Sequence, residues 1–446
     1  MRRPVRKLRS LPKLLFPNLS AVYTQGFAAA ADWERHAGGV SGTIADDGVN
    51  YRTEDGGTNS VLLTGTIVAE ANSTFLVYRN ILNLAPAFTR RPACFDFWAF
   101  IRWDDDYTNH GRMNGTDAII ITFAPHLTSN VNTWQISFDD TQLSRGWNHL
   151  FVDCGEGSDY GDLTKAGTPE EDWSDIISIR FRLSQTAAAG LKINFDAMRF
   201  YNSRPVGAVI LDFPDNSPGH TRYSLPAMKR WGYRGSHKMG ALSASLREAR
   251  MMQRAGWSVG HQGDGTSLVH ANYLTTKSDL DTAYDTIVDG GLKAQNARFY
   301  TYPSNLLDEQ ALECVNGVAN PPDPTMLGGF GGSGTNGKIV LDGGTSRRYA
   351  LPPNQYQQAQ GYGALTSSDV IADIRTATKR ALQDGNVVIF GMHDVKPAGP
   401  DANEILLSDF RQMLQYINAC NLPVVLPAEL YDLETNAVSI VRRVMR

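Results

Sequence analysis

Cysteine is scarce in this chain. There are 4 in 446 residues (Cys94, Cys154, Cys314 and Cys420), and no two stand in a Cys-x-x-Cys pair. That spacing excludes the common zinc and redox motifs. Cys94 and Cys154 could pair, but a chain of this length buries enough core to need no staple, so all four are expected as buried thiols. An excess of positive charge is also missing. The net charge is -4, and without a domain-wide basic surface to neutralise phosphates a nucleic-acid partner is excluded. No apolar stretch approaches the length of a membrane span. No internal repeat is evident, and residues 328–344, though rich in glycine, lack the strand-to-helix context of a phosphate loop and read as a long surface loop.

The one strongly one-signed segment is the amino terminus, where Arg2, Arg3, Arg6, Lys7, Arg9 and Lys13 occur with no acid among them. A signal peptide would continue into an unbroken apolar core, but Leu14-Leu15-Phe16 is cut by Pro17 and Asn18. Residues 1–19 are therefore read either as a solvated tail or as an arm that docks into a larger assembly.

The composition, 42% hydrophobic and 20% charged, is that of a globular chain, and the length implies two domains or three. Residues 20–203 read as all-β. Phe95, Phe97, Ala99 and Ile101 alternate with Asp96, Trp98, Phe100 and Arg102, and Ile177, Ile179, Phe181 and Leu183 with Ser178, Arg180, Arg182 and Ser184. Ile193, Phe195 and Ala197 alternate with Asn194, Asp196 and Met198 in the same way. Period two places one set on a buried face, and several such strands between Gly/Asn/Asp-rich turns predict an antiparallel β-sandwich.

After Tyr201-Asn202-Ser203-Arg204-Pro205 the pattern changes to strands alternating with helices, so 204–446 reads as an α/β domain. Leu246, Ala249, Arg250 and Gln253 predict one helix, ended by Gly256. Leu280, Tyr284 and Ile287 predict another with Ser278 as N-cap. Ile371, Ile374, Ala377 and Ala381 predict a third behind Ser368. Val387 to Phe390 and Leu422 to Leu426 read as short buried strands.

The most informative run is Val209-Ile210-Leu211-Asp212-Phe213-Pro214-Asp215-Asn216, an apolar strand that ends in acidic residues. A strand end of an α/β sheet or barrel is where chemistry usually sits. Together with three later segments it resembles the polysaccharide deacetylases, over about residues 205–435. Phe213-Pro214-Asp215-Asn216 is similar to the family's Phe-Asp-Asp-Gly; Gly256-Trp257-Ser258-Val259-Gly260 to its Gly-x-x-Ile-Gly; Tyr300-Thr301-Tyr302-Pro303-Ser304-Asn305 to its Phe-x-Tyr-Pro-Tyr-Gly; and Val388-Ile389-Phe390-Gly391-Met392-His393-Asp394 to its final strand. The resemblance implies a deformed (β/α) barrel. It also implies that Asp215 is a ligand for a divalent zinc, nickel or cobalt ion, that His393 is the general acid, and that Tyr302 and Pro303, with Arg298 ahead of them, line a substrate groove.

The departures matter as much. Pro214 stands where the family has its general base, and Gln262 and Thr266 stand where it has two metal-binding histidines. Asp212 lies close by in sequence but is offset from the base position, and His261 and His270 are the imidazoles a shifted loop could recruit as metal ligands. Against this, Asp215 could simply cap the following turn, the two histidines could be ordinary loop residues, and His237 is expected packed inside the barrel.

The first domain resembles the jelly-roll modules that accompany carbohydrate-active domains, on Phe97-Trp98-Ala99-Phe100, Gly146-Trp147-Asn148, Asp172-Trp173 and Phe195-Asp196-Ala197-Met198-Arg199-Phe200. Trp98, Trp103 and Trp173 are candidates for sugar stacking, while Trp147 is read as packing. Asp104-Asp105-Asp106 is either a calcium site or a solvated turn. The sequence thus predicts a multidomain protein, a sandwich followed by a deformed barrel. Its leading function is recognition of a cell-surface or extracellular polysaccharide, as a tail or receptor-binding component of a phage particle docked through the basic arm and assembled as a homo-oligomer. An active deacetylase with a rearranged site and a purely structural virion protein are the alternatives.

Overall fold

The computed structural model describes residues 23–35 (less 26 and 28), 41–48, 58–66, 74–80, 91–102, 119–126, 131–138, 146–154, 163–184 (less 171 and 172), 190–202, 207–239 (less 215), 246–261, 273–293, 299–301, 328–330, 339–341, several residues between 371 and 382, and 387–429 (less 402 and 403). The chain divides into two compact units, one of Ser20–Arg204 and one beginning at Pro205.

The first unit consists of two antiparallel sheets. Its strands are β1 (Tyr23–Gln25), β2 (Glu34–Arg35), β3 (Ser41–Asp47), β4 (Ser60–Thr66), β5 (Thr74–Asn80), β6 (Cys94–Arg102), β7 (Ile119–Ala124), β8 (Thr133–Phe138), β9 (Gly146–Asp153), β10 (Thr164–Ala166), β11 (Ser178–Ser184) and β12 (Gly190–Tyr201). One sheet runs β3-β4-β12-β6-β9, with β1 also on β12, and the other runs β10-β8-β7-β11-β5-β2.

The alternation read from the sequence decides what faces inward. Phe95, Phe97 and Ala99 of β6 and Phe195 of β12 join Ile121 and Phe123 of β7 and Ile179, Phe181 and Leu183 of β11 in one apolar cluster. Phe181 stacks on Phe195 across the two sheets with ring centroids 4.1 Å apart. β12 is bulged between Asp196 and Arg199; Ala197 there takes a positive φ of 46°. The extra residue turns Met198 and Phe200 inward, where both belong to the same cluster. Beyond the bulge Arg199 forks onto Asp96, Nε to Oδ1 at 2.9 Å and Nη2 to Oδ2 at 2.5 Å.

Cys94 and Cys154 are buried thiols, not half-cystines, while Cys314 and the acidic run 104–106 lie outside the described residues.

The second unit is built on a sheet of seven strands: β13 (Ala208–Phe213), β14 (Ser236–Met239), β15 (Ser258–His261), β16 (Phe299–Thr301), β17 (Gly328–Phe330), β18 (Ile339–Leu341) and β19 (Val387–Gly391). Their order is β18-β17-β16-β15-β14-β13-β19, parallel except for β18. β20 (Asp394–Lys396) and β21 (Glu404–Leu406) pair separately. The helices are α1 (Leu225–Lys229), α2 (Leu246–Arg254), α3 (Tyr273–Asp289) and α4 (Leu407–Ala419).

Gly256 ends α2 as expected. It takes φ 87°, and the Trp257 and Gly256 amides donate back to Met252 and Gln253 carbonyls at 3.1 and 2.9 Å, a paired closure that needs a left-handed residue.

Two expectations are corrected. Ser278 is not an N-cap but lies inside α3, which begins at Tyr273; its carbonyl accepts the Thr282 hydroxyl at 2.8 Å, so the polar residue is absorbed by the helix instead of starting it. The glycine-rich stretch is not all loop, since Gly328–Phe330 pairs with Ile339–Leu341. Glycine keeps its backbone donor and acceptor, and the β-branched run Ile339-Val340 supplies the partner. Ser368 lies outside the described residues, while Ile371 and Ile374 are helical.

The inter-sheet ring stack sets the cost of opening the first unit. Phe181→Ala should destabilise it by about 3–5 kcal/mol, measured by chemical unfolding of the full chain.

Candidate functional site at the strand ends

β13 is hydrogen-bonded along both edges. Ala208 to Asp212 pair with Val387 to Gly391 of β19, and Asp212 and Phe213 pair with Ser236 and His237 of β14. The Met392 amide then donates to the Asp212 carbonyl at 3.0 Å. These bonds place Asp212, the last residue but one of β13, and His393, two residues past β19, at the same end of two neighbouring strands. Asp212 is buried, and His393 is half-buried in the turn into β20.

Register decides which side chains share a face, because aligned residues of parallel neighbours point the same way and successive residues point oppositely. Asp212 aligns with Ser236, and Ser236 with Ser258. Asp212, Ser236, Lys238 and Ser258 therefore form a polar row on one face, and all four are buried. The Ser236 and Ser258 hydroxyls have no hydrogen-bond partner among the described residues.

Burial drives the Lys238 amine down to about 8, with the charge of Asp212 opposing the shift. The carboxylate and the amine are thus mutually compensating charges in a region that would be costly for either alone.

The other face carries Phe213, His237, Met239, Val259 and His261. Phe213, Met239 and Val259 join Met228 of α1, Met252 of α2 and Phe410 of α4 in the second apolar cluster. His237 is thus on the helix-packed side and not in the interior predicted for it. It meets His220, of the helical turn His220–Ser224, edge to face at 5.6 Å.

His261 is likewise on the helix-packed face and buried, opposite to Asp212. Among the described residues no cluster of three or more His, Cys, Asp or Glu side chains could hold a metal. Of the ligands expected for zinc, nickel or cobalt only His261 is among the described residues, and no step is routed through a metal. Asp215, His270, Arg298, Tyr302, Pro303 and Trp103 lie outside the described residues, as do Gln262 and Thr266.

Trp98 is corrected. It is 2% exposed and alternates away from the sandwich core onto a face where Asp96 and Asp196 are buried too, so it offers no flat surface to a sugar. Trp173 is also buried, with its ring 4.6 Å from Phe123. Sequence reasoning missed Lys238, Ser236, Ser258 and His220. The signal was faint: Gly235-Ser236-His237-Lys238-Met239 is a strand-length segment with three successive polar residues, and an exposed edge strand has the same look.

No family model matches the chain, and no curated protein does. Solved structures to which it is similar include a family 4 carbohydrate esterase from Streptomyces lividans in complex with acetate, at 14% identity over 49% of this chain and 91% of that one, TM-score 0.34. A peptidoglycan deacetylase from Bacillus subtilis is similar at 10% identity over 53% and 96%, TM-score 0.36. A family 4 pseudoenzyme from Bacillus anthracis is similar at 13% identity over 51% and 66%, TM-score 0.35.

Removing one of two compensating buried charges strands the other. Lys238→Met should cost about 3–5 kcal/mol in chemical unfolding, and the double variant Asp212→Leu/Lys238→Met should recover most of that loss.

Proposed function

We propose that this chain is a deacetylase-like protein that recognises a cell-surface or extracellular polysaccharide and does not carry out the hydrolytic step. The observation that carries the reading is Pro214. It is buried immediately after β13, at the position where the resemblance calls for a general base, and its ring has no proton-accepting group. Asp212, two residues earlier, does not replace it, because it is turned into the buried row beside Lys238. A base must reach the water it deprotonates, and each missing role costs about 10²-fold or more in rate.

In this reading the second unit is a deformed (β/α) barrel. His393, half-buried at the strand end, serves as a hydrogen-bonding group to the glycan, with Arg298, Tyr302 and Pro303 as the other substrate-binding residues. The first unit is a jelly-roll module in which Trp103 stacks on sugar rings. The protein works in a virion or outside the cell, as a homo-oligomer attached to other particle subunits through residues 1–19.

Purified protein should release no acetate from acetylated glycans, with or without added zinc, nickel or cobalt, and should bind glycan equally well in chelator. His393→Ala should fold normally and weaken glycan binding by about tenfold, the loss of a hydrogen bond worth about 1.4 kcal/mol. Acetate release that a chelator abolishes would overturn the reading and establish a rearranged metal-dependent deacetylase.

A further inference from the structure

We propose that the buried pair His220–His237 is an acid-sensitive latch on the turn that follows β13. The two rings stand nearly perpendicular, 81° apart in plane, and His220 also lies edge-on to Phe213 at 5.2 Å. Phe213 in turn contacts Trp257 at 4.9 Å and Phe410 at 6.1 Å. The imidazoles are thus embedded in the apolar cluster that joins the sheet to its helices, and both are buried.

The turn is fastened a second time by its backbone. A Cβ on Gly219 would fall 1.9 Å from Asp394 Oδ1 and 2.4 Å from the Val395 carbonyl oxygen, so only glycine permits this approach to β20. Two contacts therefore hold the turn, one made by the ring pair and one by a bare backbone.

The charged groups around the pair give an imidazolium little support. Lys238, next to His237 on β14, is a like charge. Asp212 on β13 faces the other side of the sheet, and His261 on β15 shares the face of His237. Asp394 of β20 already accepts the Val395 amide at 2.8 Å and lies 3.5 Å from Lys396 Nζ. Asp409 of α4 is buried, and Arg222 on the turn itself is exposed.

Burial holds the His237 imidazole down to about 3. His220 and then Lys238 push it the same way, and a backbone hydrogen bond with Phe213 opposes them. An exposed histidine titrates near 6.5. Between those two values the open turn binds more protons than the closed one. The stability of the closed form is therefore complete above about 6.5 and is lost progressively as the pH falls toward 3.

Opening would act on the strand ends directly, because the turn leaves β13 beyond Asn216 and rests on β20 one residue after His393.

Hydrogen exchange on the full chain tests this, comparing amides of 217–230 with those of β6 at pH 7.5 and pH 5 after correction for intrinsic rates. Protection of 217–230 should fall about thirty-fold at pH 5 while β6 is unchanged, and His220→Phe/His237→Phe should abolish that fall. An equal fall in the double variant would overturn the latch. So would unchanged protection in the wild-type chain, a comparison that decides the matter even where the double variant fails to fold.

Discussion

β13 is hydrogen-bonded on both edges and buried on both faces, and that constraint determines what every residue around it can do. A strand in this position has no solvent side on which to place a charge. Its one ionisable residue, Asp212, must be compensated from a neighbouring strand, and parallel register brings Lys238 to the same face. The same register sends Phe213 and His237 to the opposite face, where the helices pack. The polar row and the histidine pair are thus two consequences of one alignment, Asp212 with Ser236 and Phe213 with His237.

This alignment also bears on chemistry. A buried carboxylate beside an ammonium serves cohesion: its charge is taken up by the partner, and neither group meets solvent. A carboxylate that accepts a proton from water must sit at a strand end with an open approach. Pro214 directly follows β13. Proline fixes φ and removes an amide donor, so Pro214 shapes the exit from the strand. His393 keeps its half-buried place at the end of β19, which suits a residue that recognises a ligand as well as one that protonates it.

Much of the fold was legible because its period is short and its faces differ. The alternations in 95–102, 177–184 and 193–198 correspond to β6, β11 and β12, and Phe95, Phe97 and Ala99 of the first meet Ile179, Phe181 and Leu183 of the second in the core. In the third, the bulge after Asp196 breaks strict alternation: Met198, counted as outward by period two, is inward. Gly256 announced the end of α2, because few residues other than glycine take a left-handed conformation cheaply. Ser278 misled because a serine before an apolar periodicity is an N-cap signal only if the helix starts there, and the residues before it were helical already. The burial of Trp98 was illegible in principle. Alternation tells which residues share a face, not whether that face is covered.

The site was less legible than the fold for a related reason. Lys238 looks like a solvent-facing residue in any local window, and only its register against Asp212 and Ser258 reveals it as buried. Pairing across strands that are distant in sequence is information that a single strand does not contain. The converse holds for His261. Its place after Gly260 made it look like a strand-end ligand, yet one residue of offset along β15 is enough to send a side chain to the opposite face. A metal centre assembled from several strand ends would require all of their offsets to be right together. His261 shows the point: it is buried on the face that the helices cover, one residue out of step with the polar row of Asp212, Ser236, Lys238 and Ser258.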